Sequence, residues 1–389
     1  MLELLFLLLP VAAGYGWVMG RNSVRQAQRK QSKILSRHYY KGINFLLSDQ
    51  PDKAVDTLIK MINLDSDTAE THIAMGNFFR HRGELDRAIR VHQNLVSQEE
   101  IDSDLKLQAL KELGKDYMLA GFLERAESSF LKLLDSDKYF LDAQRHLFNI
   151  YQTTKEWDKA IKLGESMMKH NGDSDDLCRR ISHFYCERAV QRLRDNDISS
   201  AEKALKKAIE SDEHAVRPWL MLGELAIDQQ QYRDAISYLN QIPQRDVSWL
   251  SEAVPLIEVC CRALNDEHLL ERALEPYWKK CASAYLSKVN LMARQGNLAE
   301  ASDVLLEQLR VNPTMKGFKT LMGLYVEQKD EENAVNSLTL LSDLVDEQLR
   351  QRPKYRCVSC GFSGRQIHWL CPSCKKWGTV KPIKGLDGE

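Results

Sequence analysis

Residues 113–130 read LGKDYMLAGFLERAESSF, and this stretch predicts two antiparallel helices separated by a glycine-containing turn. Gly114 in the first helix and Ala126 in the second are small, which lets the two helices pack closely. Tyr117 and Phe130 are large and can fill the gap to the next pair of helices. We therefore expect this stretch to be one unit of a helical repeat.

The alanine of the second helix recurs along the sequence, and its early copies are 34, 38, 34, 41 and 34 residues apart. Steps near 34 residues correspond to one helical hairpin each. The recurring alanines are Ala54, Ala88, Ala126, Ala160, Ala201, Ala235, Ala301 and Ala334. A first-helix partner lies twelve residues before each of them, namely Gly42, Gly76, Gly114, Phe148, Ala189, Gly223, Val289 and Met322.

This unit resembles the tetratricopeptide repeat, in which a helix carrying L-G-x-x-Y precedes a helix carrying A-x-x-x-F. The resemblance implies an all-α fold, with eight or nine hairpins over residues 37–351 forming a right-handed solenoid with an extended concave face. The 66 residues between Ala235 and Ala301 leave room for a degenerate hairpin around 254–280, with Ala273 in register. Such arrays bind peptides or protein faces.

Two C-x-x-C pairs near the C-terminus predict a metal site. Four thiolates can converge on one tetrahedral ion, and a closed shell of this kind is structural because it has no open position for substrate. Zinc and iron both accept four thiolates, and unliganded thiols or disulfides are the alternative. The candidate ligands are Cys357, Cys360, Cys371 and Cys374.

The segment 352–389 around these cysteines is too short to bury a self-sufficient core, so the ion is expected to supply much of its folding free energy. The cysteine pairs resemble those of rubredoxin, with a shorter spacer, and we expect a small rubredoxin-like or zinc-ribbon domain. His368 lies between the pairs and could substitute as a ligand, although a surface or packing role is the preferred interpretation.

Residues 1–20, MLELLFLLLPVAAGYGWVMG, carry Glu3 as their single charge and are long enough for a transmembrane anchor. No Lys or Arg precedes this run, and a basic juxtamembrane helix is expected over 21–36. The positive-inside rule then predicts a periplasmic N-terminus and a cytoplasmic location for the remaining residues. Basic residues every four positions from Arg21 to Arg37 favour an anionic lipid surface, or else a solvated helix.

The composition is that of an ordinary globular protein, with 43% hydrophobic and 28% charged residues and a net charge of −1. No global basic field invites nucleic acid, although a short ribbon could still bind it locally. Five further cysteines are scattered through helical patterns, which indicates reduced, buried thiols. They are Cys178, Cys186, Cys260, Cys261 and Cys281.

No catalytic motif is found, so we expect neither catalytic residues nor an organic cofactor site. Trp157, Trp219 and Trp249 occupy repeat positions and are interpreted as core residues. A group of arginines could line a groove, although a solvated helix face is the default interpretation of Arg80, Arg82, Arg87 and Arg90.

The order of these parts resembles the lipopolysaccharide assembly protein B family of Gram-negative bacteria. The resemblance is carried by the opening residues 1–17, by FYCE at 184–187, and by the cysteine pairs and the tail 381–388. It implies a single-pass inner-membrane protein that acts as a regulatory adaptor of lipopolysaccharide synthesis, with the four cysteines as metal ligands.

The resemblance also implies three protein partners and a mechanism. The partners are a membrane-bound ATP-dependent zinc protease, the deacetylase that commits lipid A synthesis, and an inner-membrane protein that senses lipopolysaccharide. The adaptor would promote proteolysis of the deacetylase, and anionic lipid or lipopolysaccharide is a further expected contact. Two alternatives remain: a non-proteolytic scaffold for envelope-biogenesis complexes, and an electron carrier with redox-active iron.

Overall fold

The computed structural model describes most of the residues that follow position 68. The described ranges are 69–99, 101–171, 174–328 and 332–386, with the isolated positions Trp17, Met19, Gly20, Arg21, Phe45, Lys53 and Gly388. No helix within them combines the length and the apolar content needed to cross a bilayer. The predicted anchor and juxtamembrane helix lie outside the described residues, apart from these isolated positions.

The protein divides into two compact units, Met1–Glu156 and Trp157–Glu389. In the first unit, consecutive helices pack on one another around small apolar clusters that include Ile73, Phe79 and Leu95. The described helices of this unit are α1 (Ala69–His81), α2 (Leu85–Ser97), α3 (Ser103–Leu119), α4 (Leu123–Leu131) and α5 (Phe140–Thr154).

The second unit continues with helices packed on their neighbours in sequence and ends in a small sheet. Its helices are α6 (Trp157–Asn171), α7 (Asp175–Arg194), α8 (Ile198–Ser211), α9 (Arg217–Asp228), α10 (Tyr232–Leu239), α11 (Ile242–Arg245), α12 (Leu250–Ala263), α13 (Glu267–Leu274), α14 (Ala282–Arg294), α15 (Leu298–Val311), α16 (Met315–Gln328) and α17 (Glu332–Gln351). Short 3-10 segments cover Val247–Trp249 and Glu275–Tyr277. The strands are β1 (Tyr355–Cys357), β2 (Ser363–Gly364) and β3 (Val380–Pro382).

The predicted repeat is confirmed by the burial of its marker residues. The six recurring alanines from Ala88 to Ala301 are each 0% exposed, and all their first-helix partners are buried. Met322, the partner predicted for Ala334, is only half-buried. Ala54 and Gly42, and the side chain of Ala334, lie outside the described residues. The described part of the protein is therefore a mostly helical, tetratricopeptide-like repeat fold.

The turns between paired helices share one backbone feature. Five residues before each buried alanine, the backbone adopts the left-handed conformation, with φ between 58° and 89°. Glycine and asparagine favour this region, and it ends the first helix of each hairpin. The residues are Gly83, Gly121, Lys155, Asn196, Gln230 and Gly296.

A seventh left-handed residue, Asn265 at φ 52°, sets the register of the degenerate hairpin. Five residues later stands Leu270, which is 7% exposed, whereas Ala273 is half-buried. The prediction that Ala273 occupies the alanine position is therefore wrong. The sequence misled because a leucine replaces the marker residue and an alanine happens to lie nearby.

A glycine in the first helix makes room for a large side chain in the second. A Cβ atom at Gly114 would lie 2.7 Å from the Phe130 ring, and one at Gly223 would lie 2.6 Å from Leu239 Cδ2. Phe130 and Leu239 are fully buried and follow their alanines by four residues. The small residue of the repeat is thus needed for close approach of the two helices.

We expect Gly223→Ala to lower the free energy of unfolding by about 1–3 kcal/mol, because the new methyl group overpacks Leu239. The matched control is Gly323→Ala, since Gly323 is helical and exposed and its Cβ would meet nothing within 4 Å. The control should raise stability by about 0.5–1 kcal/mol through helix propensity. Urea unfolding followed by circular dichroism measures both, and equal effects of the two variants would contradict this account.

The interpretation of Arg80 as part of a solvated helix face is wrong. Its side chain is 11% exposed, and its two terminal nitrogens pair with Glu112 Oε2 at 2.6 Å and Asp116 Oδ1 at 3.0 Å. Asp116 also lies 2.5 Å from His92 Nδ1, with both side chains fully buried. The carboxylates belong to the next hairpin, 32 and 36 residues away, so no local pattern could reveal the pairing. Arg82, in contrast, is 55% exposed as expected.

Candidate metal centre

A three-stranded antiparallel sheet positions the two cysteine pairs. Its order is β2-β1-β3, and the central strand β1 pairs Tyr355 with Gly364 on one side and Cys357 with Val380 on the other. The first cysteine pair follows directly from β1, and the second lies between β2 and β3. We call residues 355–382 the C-terminal ribbon.

The two cysteine turns have the same backbone geometry. In the first, the N–H of Gly361 donates to the carbonyl of Cys357 at 3.0 Å, and in the second the N–H of Lys375 donates to the carbonyl of Cys371 at 3.0 Å. Gly361 and Lys375 both adopt the left-handed conformation, with φ of 79° and 56°. Each turn thereby folds back, and the two cysteines of each pair face one point.

The structure brings the four predicted residues together. Their sulfur atoms all lie within 4.8 Å of one another, with Cys357 and Cys374 3.8 Å apart and Cys360 and Cys371 3.6 Å apart. A tetrahedral ion with sulfur ligands at about 2.3 Å requires sulfur–sulfur edges of about 3.8 Å. A disulfide would require about 2.05 Å. The group therefore fits a single metal ion with four sulfur ligands, and the distances suit zinc and iron equally.

The electrostatics of the four thiols differ. Burial raises the pKa of Cys357, but a hydrogen bond with Thr379 and backbone N–H groups of its own turn outweigh this and lower it to about 6. Burial raises the pKa of Cys371 to about 11. Cys360 is exposed and Cys374 half-buried, so the ion site faces the surface on one side. A bound dication would favour the thiolate form of all four.

The ribbon packs on the helices of the second unit through Trp377, which is 5% exposed. Its ring stacks on His183 of α7 at 4.9 Å between centroids and meets Phe184 edge-on at 5.9 Å. Trp157, at the start of α6, lies edge-on at 6.5 Å. Gly378 follows at φ 64°, and its backbone is so close to His183 that a Cβ would lie 3.1 Å from the imidazole Nε2.

A second tryptophan of the ribbon extends the contact toward α12. Trp369 stacks on Trp249 with ring centroids 4.7 Å apart, and the guanidinium of Arg217 lies over the Trp369 ring at 5.5 Å. Arg217 is buried and pairs with Glu187 at 2.8 Å. These aromatic pairs hold the ribbon against helices from separate hairpins.

Two polar contacts complete the attachment. The Tyr355 hydroxyl donates to Glu252 Oε1 at 2.7 Å, and Lys381 Nζ lies 2.8 Å from Asp246 Oδ2. Burial raises the pKa of Asp246, but hydrogen bonds from Lys381 and Ser248 outweigh this and keep it below its usual value. The pair is therefore charged at neutral pH.

His183 is held neutral at this interface. Burial lowers its pKa well below 6.5, and the nearby charges of Arg217 and Arg179 lower it further. An undocked His183 would accept a proton below its ordinary pKa, whereas the docked residue does not. The free energy of docking is therefore fully present above about pH 6.5 and declines as the pH falls below it.

The sequence identified the cysteines but missed the docking residues. Trp157 and Trp249 are buried as predicted, but they pack against the ribbon as well as the helices. His368 lies outside the sulfur group and packs edge-on against Phe362 at 5.8 Å, which agrees with a packing role. All nine cysteines are described and none forms a disulfide. The one available signal for docking was the presence of two tryptophans within so short a ribbon.

Comparisons with known proteins place these features in context. Residues 355–382 match the rubredoxin metal binding domain, and residues 71–106 and 192–255 match the tetratricopeptide repeat. Lipopolysaccharide assembly protein B of Escherichia coli (strain K12) is 41% identical over 393 residues, and its Haemophilus influenzae counterpart is 34% identical over 399 residues. Each alignment covers 100% of both proteins. A solved tetratricopeptide repeat protein from Parabacteroides merdae is 15% identical, with a TM-score of 0.32, and is matched over 71% of this chain and 99% of its own.

Proposed function

This chain belongs to the lipopolysaccharide assembly protein B family, and from that membership we propose that it is a membrane-anchored, non-enzymatic adaptor that regulates lipopolysaccharide synthesis. Its repeats would bind protein partners, and its ribbon would stabilise the surface that they recognise. The relatives' shared name supports the link to lipopolysaccharide, and the helical repeat supports protein binding as the mode of action.

The observation that carries this proposal is the attachment of the ribbon to the helices. Trp369 and Trp377 stack on Trp249 and His183, so the ribbon is part of the helical platform. We propose that Cys357, Cys360, Cys371 and Cys374 hold one zinc or iron ion. Four thiolates would fill its coordination shell, which suits a structural role and leaves no position for a substrate.

The proposed location is the bacterial inner membrane. The apolar residues 1–20 would span it once with the N-terminus in the periplasm, and the basic residues that follow would keep the repeats in the cytoplasm. The basic segment 21–36 would lie near anionic headgroups or lipopolysaccharide. The charge order of the sequence supports this arrangement.

We further propose that the adaptor promotes destruction of the deacetylase that commits lipid A synthesis. It would present this enzyme to a membrane-bound ATP-dependent zinc protease and respond to an inner-membrane protein that senses lipopolysaccharide. The anchor matters in this mechanism because it raises the concentration of the captured enzyme where the protease resides. The alternative is a scaffold that assembles envelope-biogenesis complexes without proteolysis.

A pulse-chase of the deacetylase tests the proposal. Depletion of the full-length protein should lengthen the half-life of the deacetylase about tenfold or more, since a tethered encounter gains at least that factor in effective concentration. A variant lacking residues 1–20 should bind the deacetylase but fail to restore its turnover at equal abundance.

The control is the full-length protein expressed from the same vector, which should restore rapid turnover. An unchanged half-life on depletion would reject the proteolytic mechanism and favour the scaffold. Full rescue by the truncated variant would instead show that the anchor has no part in turnover.

A further inference from the structure

The degenerate hairpin contains a second helix that stops early. In two other hairpins of this unit, the second helix begins two residues after the left-handed residue and runs for 14 residues, as in Ile198–Ser211 and Leu298–Val311. By the same rule, the helix after Asn265 would run over 267–280. Helix α13 begins at Glu267 as expected but ends at Leu274, after 8 residues.

Pro276 explains the early end, because proline lacks the backbone N–H that the next helical turn requires. Residues 275–280 form a short 3-10 segment and turns. About 9 Å of regular helix is therefore missing from the stack at this point.

The shortened helix borders two neighbouring cavities. One has a volume of about 360 Å³ and reaches the C-terminal tail at Leu386, and the other has a volume of about 520 Å³ and is lined by Trp278. Both are lined by Lys279, Lys280 and Tyr285, so they form a continuous groove beside α14 and α15. We call it the α13 groove.

The first cavity of the α13 groove has an apolar floor and a basic rim. Leu305 and Leu309 form part of the floor and are almost fully buried. Lys279 and Lys280 are exposed at the rim, and no carboxylate among the described residues lies within ion-pair distance of either. Their charges are therefore available to a ligand.

The second cavity adds an aromatic wall with a cation over it. Lys288 Nζ lies 4.0 Å from the centre of the Trp278 ring, and Trp278 Nε1 is enclosed without a hydrogen-bond partner in the described residues. Glu275 and Glu307 also border this cavity, so its charge is mixed, whereas the two lysines are the charged residues lining the first. The first cavity is thus the place where an acidic ligand is favoured.

We infer that the α13 groove binds an acidic linear peptide of a partner protein, with an apolar side chain in the first cavity and flanking carboxylates on Lys279 and Lys280. The apolar floor suits a leucine- or phenylalanine-sized side chain, and the rim lysines select the charge of its neighbours. This site results from the broken helix and is separate from the metal centre and its docking residues.

A random heptapeptide phage library panned against the full-length protein in mild detergent tests the inference. Enriched peptides should contain Leu, Ile or Phe next to Asp or Glu, and a synthetic fluorescent copy should bind by anisotropy. Lys279→Glu with Lys280→Glu should weaken its binding about tenfold or more, because like charges then face each other. Ala282→Trp, which narrows the first cavity, should weaken it as well.

The matched control is Lys203→Glu with Lys207→Glu, which makes the same charge change on exposed positions of α8 and should leave binding unchanged. Absence of an acidic-apolar motif among the enriched peptides would overturn the inference, as would equal binding to the wild type and both groove variants. Dihexanoyl phosphatidylglycerol is the competing probe. If it occupies the α13 groove more tightly than the peptide, with the same lysine dependence, the ligand is a lipid and the inference is wrong.

Discussion

Replacement of Cys371 with serine should release the metal and unfold the C-terminal ribbon while most of the helical content remains. Cys371 is fully buried, and its sulfur lies 3.6 Å from that of Cys360, so a hydroxyl there leaves a poor ligand inside the sulfur group. Structural metal sites of this kind contribute roughly 10 kcal/mol or more to folding, which far exceeds what so short a segment can bury. Metal content should fall from about one ion per protein to about one tenth of that.

Elemental analysis and limited proteolysis measure this effect. The variant should be cut readily beyond residue 352, whereas the wild type is protected there. Cys178→Ser is the control, because Cys178 is a half-buried thiol outside the sulfur group. A wild-type protein that carries neither zinc nor iron at near-stoichiometric level would reject the metal site itself.

Replacement of Trp377 with alanine should detach the ribbon without emptying the metal site. Trp377 packs against Trp157, His183 and Phe184, and removing such a buried ring costs about 3–5 kcal/mol. The detached ribbon would still contain its four cysteines. We therefore expect metal content to remain near one ion per protein while hydrogen exchange increases in both β3 and α7.

The exposed Val358→Ala variant, in the same ribbon, serves as the control and should change neither quantity. Because His183 must stay neutral when docked, the wild type should show faster exchange at pH 5 than at pH 7.5, and the detached variant should not. Loss of metal from the Trp377 variant would show that docking and metal binding are a single event, contrary to this prediction.

The sequence predicted the helical repeat well because its signal is local. Ala126 and Gly114 mark the contact between two helices that are adjacent along the backbone, so a fixed spacing records it. The cysteine pairs are equally local, since each turn closes within four residues. Features of this kind depend on local backbone geometry and can be recognised from residue spacing.

Contacts between distant segments could not be predicted in this way. Arg80 finds its carboxylates in the next hairpin, and Trp377 finds its partners across some 200 residues. Ala273 shows the opposite failure, in which a residue of the right type stands at the wrong position. The backbone conformation of Asn265 was the better marker, and that conformation is not evident from residue type.

The attachment of the ribbon also determines the order in which the protein can fold. In a simple repeat array each hairpin contacts its neighbours, and folding can follow synthesis from the N-terminus. Here Tyr355 and Lys381 contact residues 103 and 135 positions earlier. At ordinary translation rates, the 220 residues between Trp157 and Trp377 take about 10–40 s to appear. During that interval the aromatic surface of α6, α7 and α12 has no cover, so a nascent or prematurely ended polypeptide exposes a patch that chaperones and proteases can recognise.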